Sequence, residues 1–206
     1  MGPEIKVKPP GPKARAVIEK DTKYASPSYI KEYPLVVDHG EGAYLIDVDG
    51  NRYLDFMAGI AVSATGYRHP AVTQAVKEAA DKFLHVCFTD FYYESGADLC
   101  ERLSQLTSFM GSTRVFLSNS GTEAVEGAIK LARFHTRRTQ LIAFQGAFHG
   151  RTTGAISLNS SKSRQRAFFG PLMPGVHHVP FGSLEAITEE LFVSRVDPKE
   201  VAAIIV

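Results

Sequence analysis

The sequence contains little cysteine, no long apolar run and almost no net charge. Only two of its 206 residues are cysteines, which excludes a disulfide framework and a cysteine-rich zinc site. Its longest largely apolar stretch, residues 56–64, is far shorter than the roughly 20 residues that a membrane-spanning helix needs. The first residues also lack the apolar core of a secretory signal. We therefore expect a cytoplasmic protein that does not bind membranes.

The charge balance excludes a further class of partner. The formal net charge is +1, whereas a nucleic-acid-binding protein normally carries a basic excess gathered on one face. No group of residues has a spacing typical of metal ligands, so no metal site is predicted. The partners expected from composition are small molecules rather than nucleic acid.

Local patterns in the first part of the chain predict an arm, a hairpin and helices. Prolines and glycines crowd residues 1–16, which indicates an extended arm, with a helix over 13–22. Residues 44–48 and 52–56 flank Asp49-Gly50-Asn51, a pattern typical of a β-hairpin. Apolar residues at helical spacing then predict two helices, over 71–84 and 98–108.

Short apolar runs alternate with amphipathic segments after residue 110. The runs predict strands at 115–117, 141–144, 177–180 and 201–206. The segments between them predict helices, most clearly over 122–134 and 184–192. Such alternation is typical of an α/β fold, a mainly parallel sheet flanked by helices.

A polar turn, Ser118-Asn119-Ser120-Gly121-Thr122-Glu123, joins the first of these strands to the next helix. Ser120 and Glu123 have the spacing of a capping box, in which the two side chains satisfy free amides of the first helical turn. Gly121 permits close backbone approach, and the exposed amides with the helix dipole form an anion site. Ordinary capping and phosphate binding both account for the turn.

A second polar segment, Gln145-Gly146-Ala147-Phe148-His149-Gly150-Arg151-Thr152, follows the strand at 141–144. The carboxyl ends of parallel strands meet at one edge of a sheet, so we expect this segment near the Ser120 turn. Phe148 is suited to stack on a planar ligand, and Arg151 to hold a carboxylate in a bidentate pair. A loop with one buried phenylalanine and one solvated arginine is the alternative.

In combination these two segments resemble the class III aminotransferases, which use pyridoxal 5'-phosphate. That family includes the 4-aminobutyrate, acetylornithine and ornithine aminotransferases. The resemblance extends over nearly the whole chain, since residues 47–56, 59–62 and 66–70 are similar to the family's N-terminal blocks. The Pro-Gly-Pro arm and Ser26-Pro27-Ser28-Tyr29 are most similar to the 4-aminobutyrate branch, which has relatives that racemise or epimerise amino acids.

The resemblance implies a role for each motif residue. Ser120, Gly121 and Thr122 would bind the cofactor phosphate, and Phe148 would stack on the pyridine ring with His149 beside it. Arg151 would bind a substrate carboxylate, and Ile60 would approach the substrate from the N-terminal segment. The implied reaction is transamination between an amino acid, 4-aminobutyrate or another omega-amino donor, and a 2-oxo acid.

The resemblance also implies a domain organisation. Residues 1–66 would be an arm and hairpin segment belonging to the small domain. Residues 67–206 would be the first part of the large cofactor-binding domain of a fold type I pyridoxal-phosphate-dependent transferase. The family's members are homodimers, so a homodimer is expected for the full-length protein.

The expected Schiff-base lysine of the family has no counterpart in this sequence. Lys130 and Lys162 stand in no matching motif, and the expected aspartate partner of the pyridine nitrogen is also absent. The sequence stops at Val206, at the end of a predicted strand, so we expect an N-terminal fragment that is inactive alone. The alternative explanation of this end is a short final edge strand. Two other hypotheses remain: a non-catalytic remnant that binds a phosphate ligand or a partner subunit, and, at full length, a racemase or epimerase.

Overall fold

The computed structural model describes residues 2–206. The chain divides into two compact units, the first ending at Tyr92 and the second comprising Tyr93–Val206. Each unit carries its own three-stranded sheet.

The sheet of the first unit is antiparallel. Its strands β1 (Val37–Glu41), β2 (Tyr44–Asp47) and β3 (Arg52–Leu54) lie in the order in which they follow one another. In the register of β2 and β3, Leu45 pairs with Tyr53. The hairpin predicted around Asp49-Gly50-Asn51 is therefore confirmed, because β2 and β3 are the two strands that this turn connects.

The two long helices of the first unit begin at prolines. Helices α1 (Pro12–Tyr24) and α3 (Pro70–Lys82) both carry proline in their first turn, where a missing N–H costs nothing. The hairpin turn caps α1, because the Asp49 carboxylate accepts hydrogen bonds from the amides of Lys13 and Ala14, each at 3.0 Å. A four-residue segment, α2 (Ala58–Ala61), lies between the sheet and α3.

The N-terminal arm is more strongly attached than its composition suggested. Glu4 and Arg52 exchange two backbone hydrogen bonds of 2.8 Å, which extends the sheet edge at β3. The fully buried Asn51 accepts from the amides of Lys6 and Val7, at 2.7 and 2.8 Å, and donates to the Val7 carbonyl at 2.8 Å. One buried side chain of the hairpin turn therefore holds the arm, and the predicted arm is shorter than residues 1–16 because helix α1 begins at Pro12.

The sheet of the second unit is parallel. Strand β4 (Gln140–Phe144) lies between β5 (Val176–Val179) and β6 (Val201–Ile204), and both pairings are parallel. Alternate residues of β4 pack in two different hydrophobic clusters. Ile142 and Phe144 pack with Val179, Ala186, Ile187, Leu191 and Val196, whereas Leu141 and Ala143 pack with Ile129 and Leu158. The predicted parallel sheet with helices on its faces is confirmed.

The helices of the second unit are α4 (Glu94–Leu106), α5 (Gly121–Thr136), α6 (Thr153–Leu158), a π-helix (Ala186–Leu191) continuing into α7 (Phe192–Ser194), and 3₁₀ turns at Ser108–Met110, Ser163–Gln165 and Pro198–Glu200. Three of them lie where helices are predicted, over 98–108, 122–134 and 184–192, whereas α6 and the 3₁₀ turns are not predicted. Helix α5 follows the Ser120 turn, and α6 follows the segment that contains Phe148 and Arg151.

The strand predicted at 115–117 is wrong. These residues lie outside every strand, and the Phe116 side chain is 75% exposed. A strand needs a neighbour that accepts and donates backbone hydrogen bonds, and neither edge strand, β5 or β6, pairs with this segment on its outer side. Within residues 2–206, no strand pairs with this segment.

Candidate functional site

The N-terminus of α5 forms the predicted capping box. Ser120 is the N-cap residue, and its Oγ accepts a hydrogen bond of 3.3 Å from the Glu123 amide. In return, Glu123 Oε2 accepts from the Asn119 amide at 2.7 Å and from the Ser120 hydroxyl at 3.3 Å. The first intrahelical hydrogen bond runs from the Ala124 amide to the Ser120 carbonyl.

The capping box leaves part of the helix N-terminus open. The amides of Gly121 and Thr122 precede that first intrahelical bond, so the helix itself supplies them with no acceptor. A Cβ atom at Gly121 would meet no atom within 4 Å. Two amides at the positive end of a 16-residue helix, beside open space, suit an anionic group such as a phosphate.

The segment between β4 and α6 is a loop with two glycines in the left-handed region. Gly146 has φ of 83° and Gly150 has φ of 133°, conformations that side chains disfavour. The fully buried Asn159 spans the loop, because its Oδ1 accepts from the His149 amide at 2.6 Å and its Nδ2 donates to the Gly150 carbonyl at 2.7 Å. One side chain therefore fixes the backbone on both sides of the His149–Gly150 peptide.

The α5 turn and this loop are in direct contact, which confirms their expected proximity. The hydroxyls of Thr122 and Thr152 lie 2.8 Å apart, and the Thr152 amide donates to Thr122 Oγ1 at 3.4 Å. At Gly150 the approach is so close that a Cβ atom would lie 2.3 Å from Thr122 Oγ1. Only glycine fits at this point of the loop.

The structure gives the Thr122 hydroxyl a partner within the protein. Thr122 is predicted to bind the cofactor phosphate, and its hydroxyl is hydrogen-bonded to Thr152. Any contribution to anion binding from Thr122 in this conformation comes from its amide.

Phe148 and Arg151 are neighbours. The Arg151 guanidinium carbon lies 5.5 Å from the centre of the Phe148 ring, a cation–π contact, and the Phe148 side chain is 48% exposed. Arg151 also lines a cavity of about 320 Å³ together with Thr153, Ile156, Gln165 and Phe169. The aromatic ring and the guanidinium are thus presented together at the surface of one loop.

His149 carries an unsatisfied polar atom. Its Nε2 is buried and has no hydrogen-bond partner among residues 2–206. Burial lowers the pKa of His149 below its ordinary value of 6.5, so the imidazole is neutral at pH 7. A buried polar atom without a partner fits a bound ligand that supplies the missing hydrogen bond.

Ile60 belongs to the first unit and lies in an unusual segment. All four residues of α2 have positive φ: 45° at Ala58, 64° at Gly59, 61° at Ile60 and 63° at Ala61. The Ile60 side chain is 81% exposed. Its contact with a substrate stays a prediction.

Two residues at the site were missed by sequence reasoning. Asn159 holds the loop that contains His149. Glu126 accepts three hydrogen bonds from the far end of that loop: from the Thr152 hydroxyl at 2.5 Å, the Gly154 amide at 2.8 Å and the Ala155 amide at 3.2 Å. No local spacing reveals either role, because the partners lie 9 to 29 residues away along the chain.

Residues 2–206 contain neither a cluster of metal ligands nor a membrane-spanning helix. No three histidine, cysteine, aspartate or glutamate side chains of this range are grouped to hold a metal ion. No helix of the described chain is long and apolar enough to cross a membrane.

The α/β fold, with a helix N-terminus and an aromatic–arginine loop in contact, corresponds to the N-terminal part of the fold type I transferases that use pyridoxal phosphate. The chain belongs to the class-III aminotransferase family, which matches it over residues 25–206. Both the predicted family and the predicted fold are therefore confirmed.

Two curated relatives show how similar the chain is to characterised enzymes. It is 41% identical over 180 residues to alanine/serine racemase of Pyrococcus horikoshii, an alignment that covers 87% of this chain and 38% of the relative. It is 43% identical over 178 residues to acetylornithine aminotransferase of Methanopyrus kandleri, and this alignment covers 86% of this chain and 44% of the relative.

Among solved structures, the ornithine aminotransferase of Toxoplasma gondii, crystallised with partial occupancy of pyridoxal phosphate at its active site, superposes with a TM-score of 0.80. The sequence identity is 28%, and the match covers 92% of this chain and 44% of that chain. The chain thus spans less than half the length of the relatives it matches.

Proposed function

We propose that the whole protein to which this chain belongs transfers an amino group between an amino acid and a 2-oxo acid with pyridoxal 5'-phosphate as cofactor. The observation that carries this proposal is the contact between the open N-terminus of α5 and the Phe148–Arg151 loop. Together they offer two free amides for a phosphate, an exposed ring for a planar heterocycle and a guanidinium for a carboxylate.

Each of these groups has its own part in holding the cofactor. The amides of Gly121 and Thr122, with the Ser120 cap, bind the phosphate at the positive end of α5. Phe148 stacks on the pyridine ring, and His149 lies beside it with Nε2 available for one hydrogen bond. When bound, pyridoxal phosphate supplies an electron sink that stabilises negative charge at the carbon bearing the amino group.

Arg151 orients the substrate. Its side chain is exposed and forms no ion pair within residues 2–206, so a substrate carboxylate is free to take the bidentate position on the guanidinium. Both an amino acid and a 2-oxo acid carry such a carboxylate, which allows one arginine to serve both half-reactions.

The chain itself supplies no lysine for the chemistry. Lys130 lies exposed on α5 and Lys162 lies exposed ahead of a 3₁₀ turn, and neither belongs to the motifs that form the site. We propose that residues 1–206 alone bind ligand but do not catalyse amino transfer.

The test is a panel of amino donors, 4-aminobutyrate, N-acetylornithine and L-alanine, assayed with 2-oxoglutarate on the full-length protein. Formation of glutamate that depends on added cofactor supports the proposal. In parallel, the 206-residue chain is treated with pyridoxal phosphate and borohydride. A specific adduct on one lysine of this chain together with amino transfer by it would contradict our assignment of inactivity.

Racemisation or epimerisation is the second candidate function. The 41% identity to alanine/serine racemase of Pyrococcus horikoshii favours it, and isoleucine 2-epimerase of Lentilactobacillus buchneri is 35% identical over 170 residues. Incubation of the full-length protein with L-alanine and cofactor but no 2-oxo acid separates the two. Accumulation of D-alanine indicates racemisation, whereas amino transfer requires the 2-oxo acid.

We also propose that the full-length protein is a cytoplasmic homodimer. Both cysteines, Cys87 and Cys100, are free thiols, which suits a reducing compartment. Large apolar side chains are exposed in both units, among them Tyr92, Phe116 and Phe168, and exposed apolar surface favours association. Sedimentation equilibrium of the full-length protein tests the dimer, and a monomer at every concentration would contradict it.

A further inference from the structure

We propose that Asn159 and Glu126 are positioning residues that hold the Phe148–Arg151 loop at both ends and so fix where its ring and guanidinium meet the ligand. Neither residue belongs to the ligand-contacting set proposed above. The inference deepens that proposed function and rests on it for the identity of the ligand. The rigidity of the loop, by contrast, is a property of the chain itself and can be measured without a ligand.

Asn159 holds the first end of the loop. It is fully buried, and its amide group uses both the acceptor and the donor on adjacent residues, the His149 N–H at 2.6 Å and the Gly150 carbonyl at 2.7 Å. The residues after it support the same end, because the amides of Ser160 and Ser161 both donate to the Ala147 carbonyl, at 2.9 and 3.1 Å. This end of the loop is tied to the chain that follows α6.

Glu126 holds the second end. One oxygen of its carboxylate accepts from the Thr152 hydroxyl and from the amides of Gly154 and Ala155, so it caps α6 from outside that helix. A Cβ atom at Gly154 would lie 2.3 Å from an oxygen of this carboxylate, so a larger residue there would displace the Glu126 side chain from its position. Because Glu126 lies on α5, the loop is tied to the same helix whose N-terminus offers the anion site.

Arg151 is the residue between these two attachments. Its neighbours are Gly150, whose carbonyl Asn159 holds, and Thr152, whose hydroxyl Glu126 holds. Its backbone is therefore fixed, and the side chain remains free to leave the Phe148 ring for a carboxylate. Preorganisation of this kind lowers the entropy that ordering the loop would otherwise cost on binding.

The arrangement makes separate predictions for the two parts of the ligand. Inorganic phosphate needs only the α5 amides, which Asn159 does not touch. Pyridoxal phosphate also needs the Phe148 ring in place. Loss of Asn159 should therefore weaken the binding of pyridoxal phosphate much more than the binding of inorganic phosphate. General destabilisation of the unit would weaken the binding of both.

The experiment uses the 206-residue chain with three readouts: amide hydrogen exchange of residues 147–155, binding of inorganic phosphate, and binding of pyridoxal phosphate. In Asn159→Ser and Asn159→Leu we expect exchange at His149 to rise about tenfold or more, and pyridoxal phosphate affinity to fall about tenfold, since a buried partner is lost. Phosphate affinity should change less than about twofold. Glu126→Ala should raise exchange at Gly154 and Ala155, and Glu126→Gln, which keeps an acceptor oxygen, should restore part of it.

Matched controls remove similar groups that hold no part of the loop. Gln105→Leu loses an exposed side-chain hydrogen bond of 3.2 Å to Glu101, and Glu189→Gln changes an exposed carboxylate on the π-helix. Both should leave all three readouts unchanged. Exchange of β4, residues 140–144, serves as an internal reference within every variant.

The outcomes separate this inference from the proposed function. Unchanged amide exchange in the loop of the Asn159 and Glu126 variants overturns the inference. An equal increase of the exchange rates of β4 and of the loop also overturns it. If the parent chain binds neither phosphate nor pyridoxal phosphate while the loop still loosens in the variants, the positioning role stands and the proposed function fails.

Discussion

The two units contain two glycine-bearing turns that differ in how fully the chain satisfies their polar groups. In the first unit, the buried Asp47 accepts from the Asn51 amide and side chain and from the Tyr53 hydroxyl, each at 2.8 Å. Asp49 caps α1, and Asn51 holds the arm. The polar side chains of this turn are thus engaged by the protein itself.

The site of the second unit is left incomplete. There the capping box uses the Glu123 amide, while the Gly121 and Thr122 amides precede the first helical bond and His149 Nε2 is buried without a partner within residues 2–206. A turn whose polar groups are engaged internally stabilises the fold, and one whose groups are left open is ready for a ligand. The comparison separates a turn that stabilises the fold from the turn that we propose binds a phosphate.

The pKa shifts follow the same division. Burial raises the pKa of Asp47, but the hydrogen bonds from Asn51 and Tyr53 outweigh it, and the net pKa lies below the ordinary value of 3.8. For His149, burial alone lowers the pKa because no hydrogen bond opposes it. The first turn compensates for its desolvation, and the second does not.

The largest expected effect comes from breaking the first turn. Asn51→Leu removes the side-chain bonds to the arm and to Asp47, and leaves buried groups unpaired, which should cost about 4 kcal/mol of unfolding free energy in the first unit. Urea unfolding followed by amide exchange at Lys6 and Val7 measures it. Asn119→Leu, an exposed asparagine elsewhere, is the control, and equal losses in both would contradict the structural role of this turn.

The next effect tests the contact between α5 and the loop. Gly150→Ala places a Cβ atom 2.3 Å from Thr122 Oγ1 at a φ of 133°, so the loop must move, at a cost of about 3 kcal/mol in stability. Gly146→Ala is the matched control, because its φ is also positive but its Cβ would meet nothing within 4 Å. Thermal unfolding of both variants measures the difference, and equal destabilisation would show that backbone strain alone decides.

Arg151 offers a sharper test of the open site. Arg151→Ala in the full-length protein should lower kcat/KM for amino donors about a hundredfold, since a charge-assisted pair with the carboxylate is lost, while cofactor occupancy stays nearly intact. Arg151→Lys should recover only part of the activity, because an ammonium lacks the planar fork. If Arg151→Ala emptied the site of cofactor while substrate affinity held, the assignment of this arginine would be wrong.

Much of this architecture follows from patterns that are local in sequence. Helix α5 and its capping box were predicted because Ser120 and Glu123 stand three residues apart. The parallel sheet was predicted because the apolar runs alternate with amphipathic segments. Each of these features depends on neighbours along the chain, and a single sequence contains that information.

Features that depend on distant partners were not predicted. The segment at 115–117 has strand-like residues but no neighbouring strand within residues 2–206. Asn51 holds backbone 44 and 45 residues away, and Glu126 holds groups 26 to 29 residues away. Nothing in the local spacing of these polar residues distinguishes them from solvated ones, because their importance comes from tertiary burial.

A smaller effect addresses the open amides directly. In Gly121→Ala the added methyl group meets no protein atom, so stability should be unchanged or slightly higher. The methyl would occupy the space where a phosphate approaches, and phosphate affinity should fall about tenfold. Calorimetric titration with inorganic phosphate and thermal unfolding measure the two quantities. Unchanged phosphate affinity would place the anion elsewhere and break the comparison with the first turn.

The smallest effect is the pH dependence of the second unit's stability. Burial lowers the pKa of His149 and of His178, and the positive charge of Arg166 lowers the latter further, although hydrogen bonding to the Leu158 backbone opposes this. Because both folded-state pKa values lie below the unfolded value of 6.5, the unfolded chain binds more protons as pH falls through 6.5, and stability is lost below that pH. The urea concentration at which residues 93–206 are half unfolded, detected by amide exchange and compared between pH 7.5 and 5.5, measures this loss. His149→Phe should flatten the dependence, whereas the exposed His135→Phe should not, and a midpoint that rises on acidification would contradict burial of a neutral His149 as its cause.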